Sequence, residues 1–309
     1  MKKIAFLFPG QGAQYPGMGK DFAEHYASAR NVFLEADDIL SESLSRLIFD
    51  GPEELLTQTK NSQLAIFVMS VALLQTLREQ LPQIHLNLSA GLSLGEYTAL
   101  FAAGRLSFKE ALLLVRQRAL LMNEACEKVP GTMAAVLGMD EMGTKFALQG
   151  ISGVWVANYN CPGQIVISGT KAGVEAATDS LKANGAKRVI PLQVHGAFHS
   201  GLMQGAQDAL APFIQKAALK ESEIELVMNV PGNFIQSTDE IRKNLISQVT
   251  QSVRWQQGIE AMEAQSVNLY LEIGCGKTLS GMNKKIGCKA PTMSLEKITD
   301  LDVLAKGAL

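Results

Sequence analysis

The feature that most constrains this chain is a serine held between two glycines, Gly91-Leu92-Ser93-Leu94-Gly95. The run His85-Leu86-Asn87-Leu88-Ser89-Ala90 before it reads as a strand, and Leu94 to Ala103 after it reads as a helix. A side chain at either glycine would strike neighbouring backbone if the chain turned sharply from strand into helix, so the pattern is what a nucleophile elbow requires. In such a turn the hydroxyl sits at a helix N-terminus, where partial positive charge favours a developing anion. The five-residue pattern alone is weak in a chain with 27 glycines. Its strand-turn-helix context gives it weight against the plainer alternative, a serine that only caps a helix.

A strand feeding a helix implies an α/β fold, and the rest of the chain agrees. Lys3 to Phe8 is a compact apolar run ended by Pro9-Gly10, the pattern of a buried strand entering a loop. Helical periodicity covers roughly 20–40, 61–80 and 108–124. After Pro130-Gly131 the spacing tightens: strand 132–139, helix 140–148, strands 154–160 and 164–169, helix 171–185, strand 186–194. That order, β-α-β-β-α-β, is ferredoxin-like. It predicts a small domain at 126–196 inserted into a large α/β domain made of 1–125 and 197–309. The large part continues with a helix at 201–219, a strand at 225–230, helices at 239–250 and 255–264, and a strand at 268–272. Strands alternating with helices predict a mostly parallel sheet between helical layers, as in hydrolase-like α/β/α folds.

Composition excludes several classes of function. The chain has 309 residues, 47% hydrophobic and 19% charged, so it can fold throughout. A net charge of −2 gives no general attraction to nucleic acid or an anionic membrane. Cys126, Cys161, Cys275 and Cys288 are scattered, which suggests neither disulfides nor zinc and fits a reduced cytoplasmic setting. Ile4 to Phe8 is too short for a signal peptide, and Leu64 to Leu74 is too short to span a membrane. Two nucleotide-binding patterns fail on one residue each. Gly276-Lys277-Thr278 has Leu271 where a phosphate loop needs glycine, and Gly10-Gln11-Gly12 has Tyr15 where a third glycine belongs.

A nucleophilic serine needs a base, and there are four histidines. His25 falls in an early helix and His85 in the strand before the turn. His195 and His199 lie where the small domain returns to the large one, a place from which a base can face Ser93 across a cleft. Their spacing could also suit a metal pair, but Gly196 weakens a helix there and no acidic third ligand is near. The plainer alternative for His199 is a satisfied core histidine. Arg116 and Arg118 lie about 200° apart around a helix, so one of them turns inward. A buried guanidinium wants a carboxylate, either the protein's own or a substrate's.

Taken in order, Phe8-Pro9-Gly10-Gln11-Gly12, Gly91-Leu92-Ser93-Leu94-Gly95-Glu96, Arg118, Asn158-Tyr159-Asn160-Cys161-Pro162-Gly163-Gln164, Gly196-Ala197-Phe198-His199-Ser200 and Glu272-Ile273-Gly274 resemble the malonyl-CoA:acyl carrier protein transacylases of bacterial fatty acid synthesis. The resemblance runs from residue 3 to about 286. It implies that Ser93 attacks the thioester of malonyl-CoA, that His199 takes the proton, and that the acyl group passes to the pantetheine thiol of acyl carrier protein. It further implies an oxyanion hole from the backbone N–H groups of Gln11 and Leu94, and a main-chain carbonyl of Gln248 that orients His199. Arg118 would pair with the malonyl carboxylate, and Phe198 is similar to the malonyl-preferring members. Together with the composition above, the expectation is a cytoplasmic protein, a monomer, with malonyl-CoA as substrate, no cofactor or metal, and no nucleic acid or membrane partner. Its acidic carrier would dock on basic residues such as Lys187, Arg188, Lys284 and Lys285. Two positions depart from the family: Leu92 stands where histidine is usual, and Ala119 where glycine is frequent. A serine thioesterase or hydrolase would share the elbow and the base, and a non-catalytic carrier-protein binder would share the fold.

Overall fold

Among the described residues the chain forms ten strands: β1 (Ile4–Phe8), β2 (Leu88–Gly91), β3 (Thr132–Leu137), β4 (Val154–Cys161), β5 (Gln164–Gly169), β6 (Arg188–Pro191), β7 (Glu225–Met228), β8 (Asn233–Phe234), β9 (Leu269–Ile273) and β10 (Thr292–Leu295). They belong to a computed structural model that describes residues 2–194 and 196–307. Six form one sheet in the order β10-β9-β1-β2-β7-β8, parallel except for the β7–β8 edge. Every residue of β1, β2 and β9 is buried, as a parallel sheet covered on both faces demands. Alternation along β1 divides the core: Phe6 and Phe8 enter one apolar cluster, Ala5 and Leu7 the other. Helix Thr59–Gln80 is buried almost all round, and it packs between helices Ala27–Leu40 and Phe108–Lys128. Hence its sequence shows a long apolar run, Leu64 to Leu74 with Ser70 inside it, instead of a one-sided stripe.

The other four strands form an antiparallel sheet in the order β4-β5-β3-β6. Helices Glu141–Ala147 and Lys171–Ala183 cover it, burying Val136, Ile165, Ile167, Val174 and Leu181 together. Numbered within this unit, the order is 2-3-1-4, the ferredoxin-like arrangement. Irregular pairing in β4 near Asn158 frees backbone for another contact. There Tyr159 N donates to Val253 O and Val253 N to Ala157 O, both at 2.8 Å. The small sheet is thereby tied to the loop that follows helix Thr238–Ser247.

Several boundaries differ from the sequence reading. The helix expected over 20–40 is two, Lys20–His25 and Ala27–Leu40, because Tyr26 is extended at φ −119° and ψ 125°. The strand expected from 85 begins at Leu88, since Asn87 occupies Ile4 with its own N–H and side chain. Consequently His85 lies exposed in the connecting loop and not in a strand. The strand expected over 186–194 spans only Arg188–Pro191, and the helix expected over 201–219 is a short 3₁₀ turn followed by Gln204–Lys216. No sequence signal marked β8, β10 or the helices Leu44–Asp50, Thr278–Ile286 and Ile298–Gly307. Among the described residues, no helix is long and apolar enough to cross a membrane.

Candidate active site

The elbow forms because nothing larger than hydrogen fits at its corners. A Cβ on Gly91 would lie 1.9 Å from the Gly95 carbonyl carbon, one on Gly95 would lie 2.2 Å from Phe8 O, and one on Gly10 would lie 2.5 Å from Leu92 O. The turn and the loop after β1 are thus pressed backbone to backbone. Ser93 itself has φ +51°, a left-handed conformation that is costly for a residue with a side chain. Asn229, just past β7, braces it from both sides. Its Oδ1 accepts Ser93 N–H at 2.6 Å, and its Nδ2 donates to Gly91 O at 2.8 Å.

His199, also left-handed at φ +57°, is 4% exposed and places Nε2 2.8 Å from Ser93 Oγ. Its Nδ1 lies 2.7 Å from the main-chain oxygen of Gln248. A carbonyl only accepts, so Nδ1 carries the proton and Nε2 turns its lone pair toward the serine. Burial, helped by the nearby Arg118 charge, pulls the imidazole pKa down to about 4. The ring is neutral near neutral pH and ready to accept a proton. His25 is exposed on its helix, and His195 lies outside the described residues. Among the described residues, no cluster of three or more His, Cys, Asp or Glu could hold a metal ion.

Helix Phe108–Lys128, started by a Ser107–Glu110 capping box, resolves the two arginines. Arg116 faces outward and pairs with Glu42 at 2.7 Å. Arg118 points inward and is 1% exposed. Its Nη1 donates to Gln63 Oε1 at 2.5 Å, and its Nη2 to Gln248 Oε1 at 2.9 Å and to Ser93 Oγ at 3.0 Å. The Tyr97 ring lies 5.8 Å from the guanidinium carbon. Among the described residues Arg118 makes no ion pair, so every group that aims it is uncharged. Burial lowers its pKa, and the nearby Tyr97 and Glu96 offset that only in part. Gln11 sits in the loop pressed against the elbow, with its side chain 3.4 Å from Thr59 Oγ1, and Leu94 opens helix Gly95–Ala102. Among the described residues neither of their backbone N–H groups donates a hydrogen bond.

A serine on a strained elbow thus meets a neutral imidazole at 2.8 Å and a buried guanidinium at 3.0 Å. The model of the acyl transferase domain matches residues 5–279. The chain belongs to the acyl transferase family. It is 44% identical over 299 residues to the malonyl CoA-acyl carrier protein transacylase of Bacillus subtilis, covering 96% of this chain and 94% of that one. Among solved structures, the acyl-carrier-protein-S-malonyltransferase of Bartonella henselae superposes with a TM-score of 0.93 at 36% identity, covering 99% and 100% of the two chains. So does a malonyl-transacylase in complex with its type II PKS acyl-carrier protein, at 37% identity, a TM-score of 0.93 and 98% of each chain.

In this acyltransferase, three contributors to the site escaped the sequence reading. Gln63 is a buried polar residue at the head of the apolar run of its helix, a signal that was present but ambiguous. Asn229 follows a strand end, a frequent place for functional side chains in α/β folds, yet nothing local distinguishes it. The side chain of Gln248 is as engaged as its main chain, which no pattern encodes. Leu92 is half-buried against the apolar cluster around Ala90 and Val227 and brings no polar atom to the serine. Lys187, Arg188, Lys284 and Lys285 are exposed, Lys285 donating to Gln164 Oε1 at 2.9 Å.

Proposed function

We propose that this acyltransferase takes the malonyl group of malonyl-CoA onto Ser93 and delivers it to the pantetheine thiol of acyl carrier protein. Ser93 Oγ attacks the thioester carbonyl as His199 Nε2 takes its proton. The oxyanion of the tetrahedral intermediate accepts from the Gln11 and Leu94 N–H groups, an arrangement in which each donor is worth about 2.7–4 kcal/mol. On collapse the C–S bond breaks, coenzyme A leaves as the thiol with the proton held by His199, and a malonyl ester remains on Ser93. The carrier's thiol then gives its proton to His199 and attacks the ester, and Ser93 Oγ regains a proton as the new thioester departs.

One observation carries the choice of acyl group: a buried guanidinium 3.0 Å from Ser93 Oγ that only uncharged groups hold. A neutral acyl chain would leave that charge unpaired beside it, whereas a terminal carboxylate completes it with two parallel hydrogen bonds. The names of the relatives point the same way. The test is exchange of labelled coenzyme A into malonyl-CoA with no carrier protein present. A covalent intermediate that can be reversed by a thiol gives exchange. Release of free malonate without exchange would replace this reading with a thioesterase.

A further inference from the structure

Glu96, in the first turn of helix Gly95–Ala102, is 1% exposed, and among the described residues it makes no ion pair. No step of the acyl transfer described above uses it. Its two oxygens nevertheless anchor two different residues of the site. Oε2 accepts Gln248 Nε2 at 2.6 Å, and Oε1 accepts the main-chain N–H of Asn229. Asn229 is the residue that grips the elbow on both sides of Ser93. Gln248 also donates from Nε2 to Ser93 O at 2.8 Å, while its Oε1 accepts from Arg118 Nη2 at 2.9 Å. The direction of the Gln248 amide is therefore set by its neighbours. Turned over, its NH₂ would face the guanidinium and its oxygen would face the Glu96 carboxyl and Ser93 O, two opposed contacts at once.

We infer that Glu96 is a positioning residue for substrate selection, acting through the Gln248 side-chain amide on Arg118 and through Asn229 on the Ser93 elbow. The inference rests on the malonyl-transfer reading above. A carboxylate touching Arg118 directly would occupy the fork that the acyl carboxylate needs. An amide placed between them passes on orientation while leaving the positive charge uncompensated at contact distance. Burial pushes the Glu96 carboxyl up to about 8. With or without a proton, both of its oxygens can still accept an N–H. The isosteric amide cannot: Glu96→Gln must turn an NH₂ toward either the Asn229 N–H or the Gln248 NH₂.

The test is a double-mutant cycle on single-turnover acylation of Ser93, read as the ratio of the rates with malonyl-CoA and acetyl-CoA. Glu96→Gln should lower that ratio about tenfold or more, as loss of a hydrogen bond to a charged group does. Gln248→Met removes the amide but keeps the main-chain contact to His199, and it should lower the ratio similarly. The double variant should lower it no further, because both changes cut the same link. A ratio unchanged in Glu96→Gln while both rates fall together would make Glu96 a packing residue and overturn the inference, as would full additivity in the cycle. If Glu96→Gln does not fold, Gln248→Met decides alone, since an unchanged ratio there removes the link from Glu96 to Arg118. Wild-type protein that forms no malonyl ester at all would instead sink the underlying reading, so the two failures are distinct.

Discussion

Replacing Arg118 with alanine tests the site where its physics is most exposed. The side chain makes three hydrogen bonds, to Gln63, Gln248 and Ser93, and all three acceptors are uncharged. In the free enzyme the change removes a buried cation with no carboxylate in contact, so the loss of stability should be modest for so buried a residue. In the acylated enzyme the effect is larger. The malonyl carboxylate would lie buried without a partner, a penalty on the order of 2–5 kcal/mol, or about 30- to 5,000-fold in rate. An acetyl group has no carboxylate to strand and gains space, so the preference for malonyl should fall by that factor and invert at its upper end. Lysine should recover only part, because an ammonium cannot reproduce the planar fork. The assay is the ratio of transfer rates from malonyl-CoA and acetyl-CoA in wild type and Arg118→Ala. Equal loss on both donors would mean that Arg118 holds the site together without selecting the substrate.

Because the His199 pKa is drawn down to about 4, acylation should stay level through mildly acidic pH and fall only as the imidazole is protonated near that value. The same shift implies that the unfolded chain binds the proton first, so His199 by itself removes stability as pH drops from about 6.5 toward 4, while the buried Glu96 carboxyl with its raised pKa acts in the opposite sense; a rate limb near 6.5 would contradict the shift. Gly95→Ala sets a methyl 2.2 Å from Phe8 O and should cost about 1–3 kcal/mol or more of stability, read as a lowered unfolding midpoint with loss of acylation. Reversing charge at Lys187, Arg188, Lys284 and Lys285 should slow transfer to an acidic carrier and flatten its salt dependence while leaving coenzyme A exchange unchanged. Unaltered carrier kinetics would remove these four from the docking surface.

Much of this architecture was legible because close packing writes itself into composition. Gly91, Gly95 and Gly10 are glycines because backbone from two segments meets there, and that constraint is visible without a structure. The close alternation of short strands and helices after Pro130-Gly131 carried the ferredoxin-like unit, because the order of elements survives even where their ends shift. Tyr26 was not legible, since a one-residue break between two helices leaves the apolar period nearly intact. Helices Thr278–Ile286 and Ile298–Gly307 are short and amphipathic, and their formation depends on docking to the sheet more than on intrinsic preference. In the site, residues with a distinctive local pattern stood out, as Ser93 did between its glycines, while the helix pattern narrowed the inward arginine to Arg116 or Arg118. Those acting as braces did not. Asn229 and the Gln248 amide matter through distances of 2.6 to 2.9 Å to residues more than a hundred positions away, and spacing along the chain cannot carry that.

The central claim, a malonyl ester on Ser93 that a thiol resolves, is tested most directly by intact-protein mass spectrometry in two steps. Wild-type protein mixed with malonyl-CoA should gain the mass of one malonyl group, mapped to Ser93, and should lose it on addition of carrier protein as the carrier gains the same mass. Ser93→Ala should gain nothing. An adduct that persists in Ser93→Ala, or one that leaves as free malonate with the carrier unchanged, would contradict the account.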